Sequence, residues 1–212
     1  AEHARAFNIS PEHAAQLMDY GRALLDAGQW RQAAEMFHKA AAGDRTLAPS
    51  GADHCAKAAD GRLQAGDAQN AIWLYRQALE LRPDDRWLRV ETASALKTAG
   101  DLQGALDALS TAMAQAPDEY VARQMDQLLE SGGTPEERIS KWRALLTENG
   151  GCIECRIHLG MALEKAGRLD EARLEYEGVL QADTSRQPAR VRLGAVMAAG
   201  GREAEGLALV EQ

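Results

Sequence analysis

The segment LQAGDAQNAIWLYRQALELRP, residues 63–83, contains the end of one helix, a tight turn and a whole second helix. Its Ala65-Gly66 pair reads as a helix stop, because glycine enters the left-handed conformation that closes a helix without a side-chain clash. Beyond the turn, Ala71, Tyr75 and Ala78 recur at three- and four-residue spacing and so share one helical face. Pro83 ends that second helix, since proline lacks the next donor and restricts the residue before it. The unit is therefore a helical hairpin.

The same break recurs along the chain, at Ala27-Gly28, Ala99-Gly100, Gly132-Gly133, Ala166-Gly167 and Gly200-Gly201. With Gly66 included, successive second glycines lie 38, 34, 33, 34 and 34 residues apart. A fixed period of this size marks a stacked-repeat architecture of about six antiparallel helix pairs, turning at Gly28, Gly66, Gly100, Gly133, Gly167 and Gly201. Five residues past four of the turns stand Ala33, Ala71, Ala105 and Ala172, where a short side chain lets the second helix approach the first. Four residues further come Phe37, Tyr75, Leu109, Trp142, Tyr176 and Val210, expected to fill the space between hairpins. Small against large, repeated, builds a continuous stacked core.

Small residue, turn glycine, alanine, aromatic, alanine and proline at these offsets resemble the tetratricopeptide repeat. The second repeat, Leu63 to Pro83, is close to its consensus, and the third is similar through Ala93, Leu96, Gly100, Ala105, Ala112 and Pro117. The first has Gly21, Leu24, Gly28, Ala33, Phe37 and Ala40, and the fifth Gly160, Leu163, Gly167, Ala172 and Tyr176. The sixth keeps Gly194 and Gly201 but has Gly206 in the alanine slot, and the fourth departs most, with Arg138 in that slot and Pro135 just after its turn. The resemblance implies an all-α fold, a right-handed α–α superhelix of antiparallel pairs spanning residues 14–212. Residues 1–13 read as an N-terminal extension and cap, with Ser10-Pro11-Glu12 in the order of a helix start and Phe7 and Ile9 covering the first hairpin. Gly43 to Asp53, which lengthens the first interval, reads as a loop.

Composition narrows the function. Apolar residues make up 45% of the 212 but aromatics only 5%, which suits thin layers of helices. Alternating Val, Ile and Thr runs are absent, so strands have no support. A net charge of −8 and a pI near 5.2 argue against a nucleic-acid partner. No apolar stretch approaches the roughly 20 residues that span a bilayer, so membrane insertion is not expected. Cys55, Cys152 and Cys155 form an odd set that favours a reducing, cytoplasmic setting over a periplasmic one, although a bonded pair with a buried third cysteine suits a periplasm as well. The chain opens on Ala1 and not Met, from which removal of a preceding segment is expected.

The residues that invite chemistry are Cys152, Cys155 and His158, near a helix start where thiols acidify and metals find ligands. No fourth ligand stands nearby, the βαβ setting of a redox motif is missing, and Arg156 occupies the place where haem attachment needs histidine. Two ordinary helix cysteines are the expected reading. His3, His13, His38 and His54 show no ligand spacing, and phosphate-loop, zinc-protease and nucleophile-elbow motifs are all missing. The expectation is a chain with no catalytic centre, no metal and no cofactor.

The resemblance also implies where a partner sits: first helices line a concave groove, and carrying the register over selects Met18, Arg22, Lys57, Asp60, Trp87, Glu91, Lys97, Tyr120, Arg123 and Gln127. Later repeats add His158, Met161 and Arg192. Family members that grip a C-terminal carboxylate carry Lys and Asn where this chain has Met18 and Arg22, so that clamp is not matched. The function expected is a protein or peptide scaffold or adaptor, in bacterial assembly, secretion or complex biogenesis. Its rivals are a regulatory or substrate-docking segment of a larger enzyme and a self-assembling structural protein. No polar capping helix follows the last repeat, so Leu207, Leu209 and Val210 are expected to be bare. From this follows either a chain that continues past Gln212 or association, including self-association, through the C-terminal helix.

Overall fold

The computed structural model describes residues 10–211, and among these the chain forms twelve α-helices and no strand. The expected cover by Phe7 and Ile9 lies outside the described residues. No helix among those described is long and apolar enough to cross a membrane.

Helix α1 (Pro11–Asp26) begins before the array boundary expected at residue 14, because Ser10 Oγ accepts the His13 N–H at 3.2 Å and Pro11 fills the first turn. It pairs with α2 (Trp30–Gly43). The loop expected over residues 43–53 is instead a single 3₁₀ turn, Arg45–Leu47, leading directly into α3 (Ala48–Gln64). Pro49 lies in the first turn of α3, where its missing N–H costs nothing, so a residue read as a loop signal starts a helix. The remaining helices are α4 (Ala68–Leu81), α5 (Arg86–Thr98), α6 (Leu102–Gln115), α7 (Glu119–Gly132), α8 (Pro135–Glu148), α9 (Ile153–Lys165), α10 (Leu169–Ala182), α11 (Gln187–Ala199) and α12 (Glu203–Val210).

Five of the six predicted turns are left-handed, with Gly28, Gly66, Gly100, Gly167 and Gly201 at φ between +75° and +84°. At the first, Gly28 N–H bonds to Leu25 O at 2.9 Å and Gln29 N–H to Leu24 O at 2.8 Å, satisfying carbonyls that the helix end leaves open. The fourth turn is different, since Gly133 sits at φ −128° in extended backbone. There the following helix does the work: Thr134 Oγ1 accepts the Glu137 N–H at 3.2 Å while Thr134 N–H donates to Glu137 Oε2 at 2.7 Å, a complete capping box ahead of Pro135.

The chain divides into two compact units, residues up to 108 and residues from 109 onward, with the boundary inside α6. In the first, Ala33, Ala71 and Ala105 are fully buried and Phe37 and Tyr75 fill the space they leave. A Cβ added at Gly21 would stand 2.5 Å from Phe37 Cε1, so the glycine is what admits the ring. In the second unit Trp142 and Tyr176 are buried in the same way, and Gly160 would set a Cβ 2.6 Å from Tyr176 Cε1. Burying each of these large side chains contributes about 1.5–3 kcal/mol. Val210 differs from its counterparts at 40% exposure. Gly206 has a packing reason to replace alanine, because a Cβ there would press into the Gly194 carbonyl oxygen.

Candidate functional site

In the first unit the register residues separate into core and surface. Met18 is buried with Leu24, Ala33, Phe37 and Cys55, so the position assigned to a groove belongs to the core. An apolar side chain on the face of α1 that meets its neighbours has more to gain from burial than from solvent. Arg22, Lys57, Asp60, Glu91 and Lys97 are exposed. Arg22 pairs with Asp19 one turn earlier, and Asp60 accepts the Tyr75 hydroxyl, tying the core aromatic to the surface. Burial first, then the Asp60 charge, raises the Glu91 carboxyl above its ordinary value. Trp87 is 47% exposed at the start of α5, with the Arg86 guanidinium 4.7 Å from its ring centre. Asp85 caps that turn, accepting the Trp87 and Leu88 N–H groups at 3.0 and 3.1 Å.

Arg22 and Lys57 converge on a cleft of about 470 Å³ between α1 and α3, with Trp30 of α2 also lining it. Leu25 and Ala58 supply apolar wall, and His54 and Arg62 join from α3. Trp30 is well braced: it meets Trp73 edge-on at 5.5 Å, and the Arg31 and Arg62 guanidinium carbons lie 4.9 and 5.6 Å from its ring centre. His54 stacks on Phe37 at 5.3 Å. Its pKa is lowered by burial first and then by the Arg22 charge, with Lys57 adding and Asp53 opposing. Trp30, His54 and Arg62 escape the groove register because that register counts only selected first-helix positions. Their clustering exists only in the fold, since Trp30 stands 24 residues before His54 and 32 before Arg62 in the chain.

In the second unit Tyr120 is 52% exposed in the first turn of α7, where Asp118 accepts its N–H at 2.9 Å. Arg123 is exposed and pairs with Glu119, and Gln127 is exposed on the same helix. Arg192 pairs with Glu164 at 3.1 Å. His158 is not a surface residue. It is buried with its ring 4.9 Å from that of Trp142 and its Nδ1 3.6 Å from Asp126 Oδ2. Asp126 also accepts Arg138 Nε at 2.8 Å, Arg138 Nη2 at 2.7 Å and Trp142 Nε1 at 3.2 Å.

The cysteine expectation is corrected as well. Cys152 and Cys155 form a disulfide, with Cα atoms 5.2 Å apart, and Cys55 alone is a free, buried thiol. Cys152 is the residue that caps α9 and not a member of it, so its sulfur folds back over the first turn, where it also accepts the Cys155 N–H at 3.1 Å. The odd set of three is thus a pair plus one, which removes the argument for a reducing compartment.

A protein-family model described as tetratricopeptide repeat matches residues 62–128. Among solved structures, the fold is similar to YrrB, a tetratricopeptide protein described as having an unusual peptide-binding site, at 20% identity and a TM-score of 0.50 over 84% of this chain and 90% of that one. It is also similar to MamA, at 15% identity and a TM-score of 0.51 over 76% of this chain and 88% of that one. MamA from Desulfovibrio magneticus RS-1 gives 13% identity and a TM-score of 0.50 over 74% and 90%. At these identities the likeness is one of fold. A comparison with curated proteins finds no match.

Proposed function

Since residues 62–128 match the tetratricopeptide repeat and the fold is similar to that of a solved tetratricopeptide protein, we propose that this chain is a non-catalytic scaffold or adaptor whose first-helix faces hold a segment of a partner protein during assembly of a larger complex. The observation that carries this reading is the pair Trp87 and Tyr120, 47% and 52% exposed at the same register position of the third and fourth repeats. Each stands in a first helical turn fixed by an aspartate cap, so a rigid aromatic is presented to solvent at little further entropic cost on binding. Aromatic and arginine side chains carry most of the energy at protein interfaces, and Arg22 and Arg123 lie on the same helix class. YrrB is described as binding peptide; for this chain the reading rests on its own side chains.

The test is affinity capture with the intact chain and with Trp87→Ala and Tyr120→Ala. Both variants keep the helical circular dichroism signal, because neither residue is in the core. A truncated interface anchor weakens binding by about 2 kcal/mol or more, roughly thirtyfold. A partner retained with undiminished affinity by both variants would remove this reading.

A further inference from the structure

We propose that the cleft between α1 and α3 is an acidic-peptide site, taking a linear segment in which Asp or Glu side chains flank an apolar or aromatic residue. The inference rests on the scaffold reading and deepens it by naming the ligand chemistry.

The first argument is charge. The chain carries a net charge of −8, yet the cations Arg22, Lys57 and Arg62 all line this one cleft against the single carboxylate of Asp26. Three further carboxylates on the same two helices, those of Asp19, Asp53 and Asp60, are occupied. Asp19 pairs with Arg22, Asp53 takes Arg82 Nη2 at 2.6 Å, and Asp60 accepts the Tyr75 hydroxyl. Lys57 and Arg62 form no ion pair among the described residues, so the described residues leave cationic charge in the cleft beyond what Asp26 offsets. Burial first and then the Arg22 charge lower the His54 pKa, with Asp53 opposing and Lys57 adding, so His54 contributes polarity to the cleft and the cationic charge comes from Arg22, Lys57 and Arg62. In a molecule of the opposite overall sign, such a local concentration selects an anionic ligand and speeds its arrival.

The second argument is shape. A cleft of about 470 Å³ accommodates a few side chains and not a folded surface. Leu25 and Ala58 would receive an apolar side chain, while the bases around them receive carboxylates. Trp30 is held in place by Trp73 and by the two guanidinium groups that cover it, so the floor is already in its binding position.

The experiment is selection of a displayed library of random linear peptides on the full chain. Labelled copies of the winners are then measured by fluorescence anisotropy against the wild type and Lys57→Glu, Arg62→Glu and Arg45→Glu. Arg45, in the exposed 3₁₀ turn, supplies the same charge change away from the cleft. Enrichment of Asp and Glu beside Leu, Phe or Trp is expected, with affinity falling about tenfold or more in Lys57→Glu and nearly unchanged in Arg45→Glu. Arg62 covers Trp30, so if Arg62→Glu loses helical signal the exposed Lys57 variant carries the test alone. Selected peptides without acidic enrichment, or equal losses in the Lys57 and Arg45 variants, would overturn the acidic-peptide site and leave the scaffold reading standing. Binding of a labelled single-stranded oligonucleotide with the same dependence on Lys57 would overturn it too. A failure to select any peptide would count against both.

Discussion

The Arg138 guanidinium meets the Asp126 carboxylate with two hydrogen bonds inside the second unit, Nε to Oδ1 at 2.8 Å and Nη2 to Oδ2 at 2.7 Å, and both residues are buried. They occupy the positions that other repeats fill with small residues, Gly160 and Ala172 in the fifth repeat and Ala59 and Ala71 in the second. Where those repeats bring two helices together over missing side chains, the fourth holds them by a paired charge, and α7 and α8 run less close together than the pairs α1–α2, α3–α4, α9–α10 and α11–α12.

Removing one partner leaves the other buried and unpaired, so Asp126→Ala is expected to cost about 3–5 kcal/mol in urea unfolding. Replacing both by alanine restores the small-residue pattern of the neighbouring repeats and removes the stranded charge. The double variant should therefore be more stable than Asp126→Ala alone, giving a coupling of about 1–3 kcal/mol. Costs that simply add would show that the pair does not hold the fourth repeat.

The same carboxylate makes the second unit acid-sensitive. Burial acts most strongly and pushes the Asp126 pKa up, but Arg138 and His158, facing it together, outweigh that and hold it below its ordinary value of about 3.9. With the folded value lower than the unfolded one, its contribution is whole above about pH 4 and is lost as pH falls through the folded pKa. Urea midpoints followed from neutral to strongly acidic pH should fall more steeply for the wild type than for Asp126→Asn. Parallel curves would assign the acid sensitivity to other carboxylates.

The period was legible because glycine alone enters left-handed backbone freely, and five turns use it. The fourth turn was misread because its geometry comes from the helix ahead, through Thr134, Pro135 and Glu137, and not from the glycine behind. Arg138 stood out in the sequence as a misfit, but its partner twelve residues earlier did not, since charge pairing across two helices leaves no trace in local periodicity. Of the residues that the register assigned to a groove, Arg22 and Lys57 are exposed, whereas Met18 is buried. Register gives direction along a helix face, while burial depends on what packs against that face. Trp30, at the start of a second helix, lay outside any first-helix register.

Thiol chemistry checks the Cys152–Cys155 bond directly. In denaturant without reductant, alkylation should label Cys55 alone, and with reductant all three cysteines. In the native state Cys55 should react slowly, because burial pushes its thiol up to about 12. A loop this short removes little freedom from the unfolded chain, about 2 kcal/mol, so reduction should lower the thermal midpoint by about 4–8 °C. Three labelled thiols without reductant would show that the pair is not bonded.

Two glycines inside first helices separate propensity from packing. Replacing a mid-helix glycine with alanine gains about 1 kcal/mol of backbone preference. At Gly61 in α3 nothing lies within 4 Å of the added Cβ, so Gly61→Ala should gain most of that. At Gly160 in α9 the Cβ would stand 2.6 and 2.7 Å from Cε1 and Cζ of the fully buried Tyr176 ring, and overpacking of this kind costs about 1–3 kcal/mol. Gly160→Ala should therefore be neutral to clearly destabilising, and trimming the ring in a Gly160→Ala, Tyr176→Leu double variant should make the alanine less costly than it is in the wild-type background. Urea midpoints of Gly61→Ala, Gly160→Ala, Tyr176→Leu, the double variant and the parent decide it. A Gly160→Ala protein that gains as much as Gly61→Ala would mean that the approach of α9 to α10 does not depend on the missing side chain.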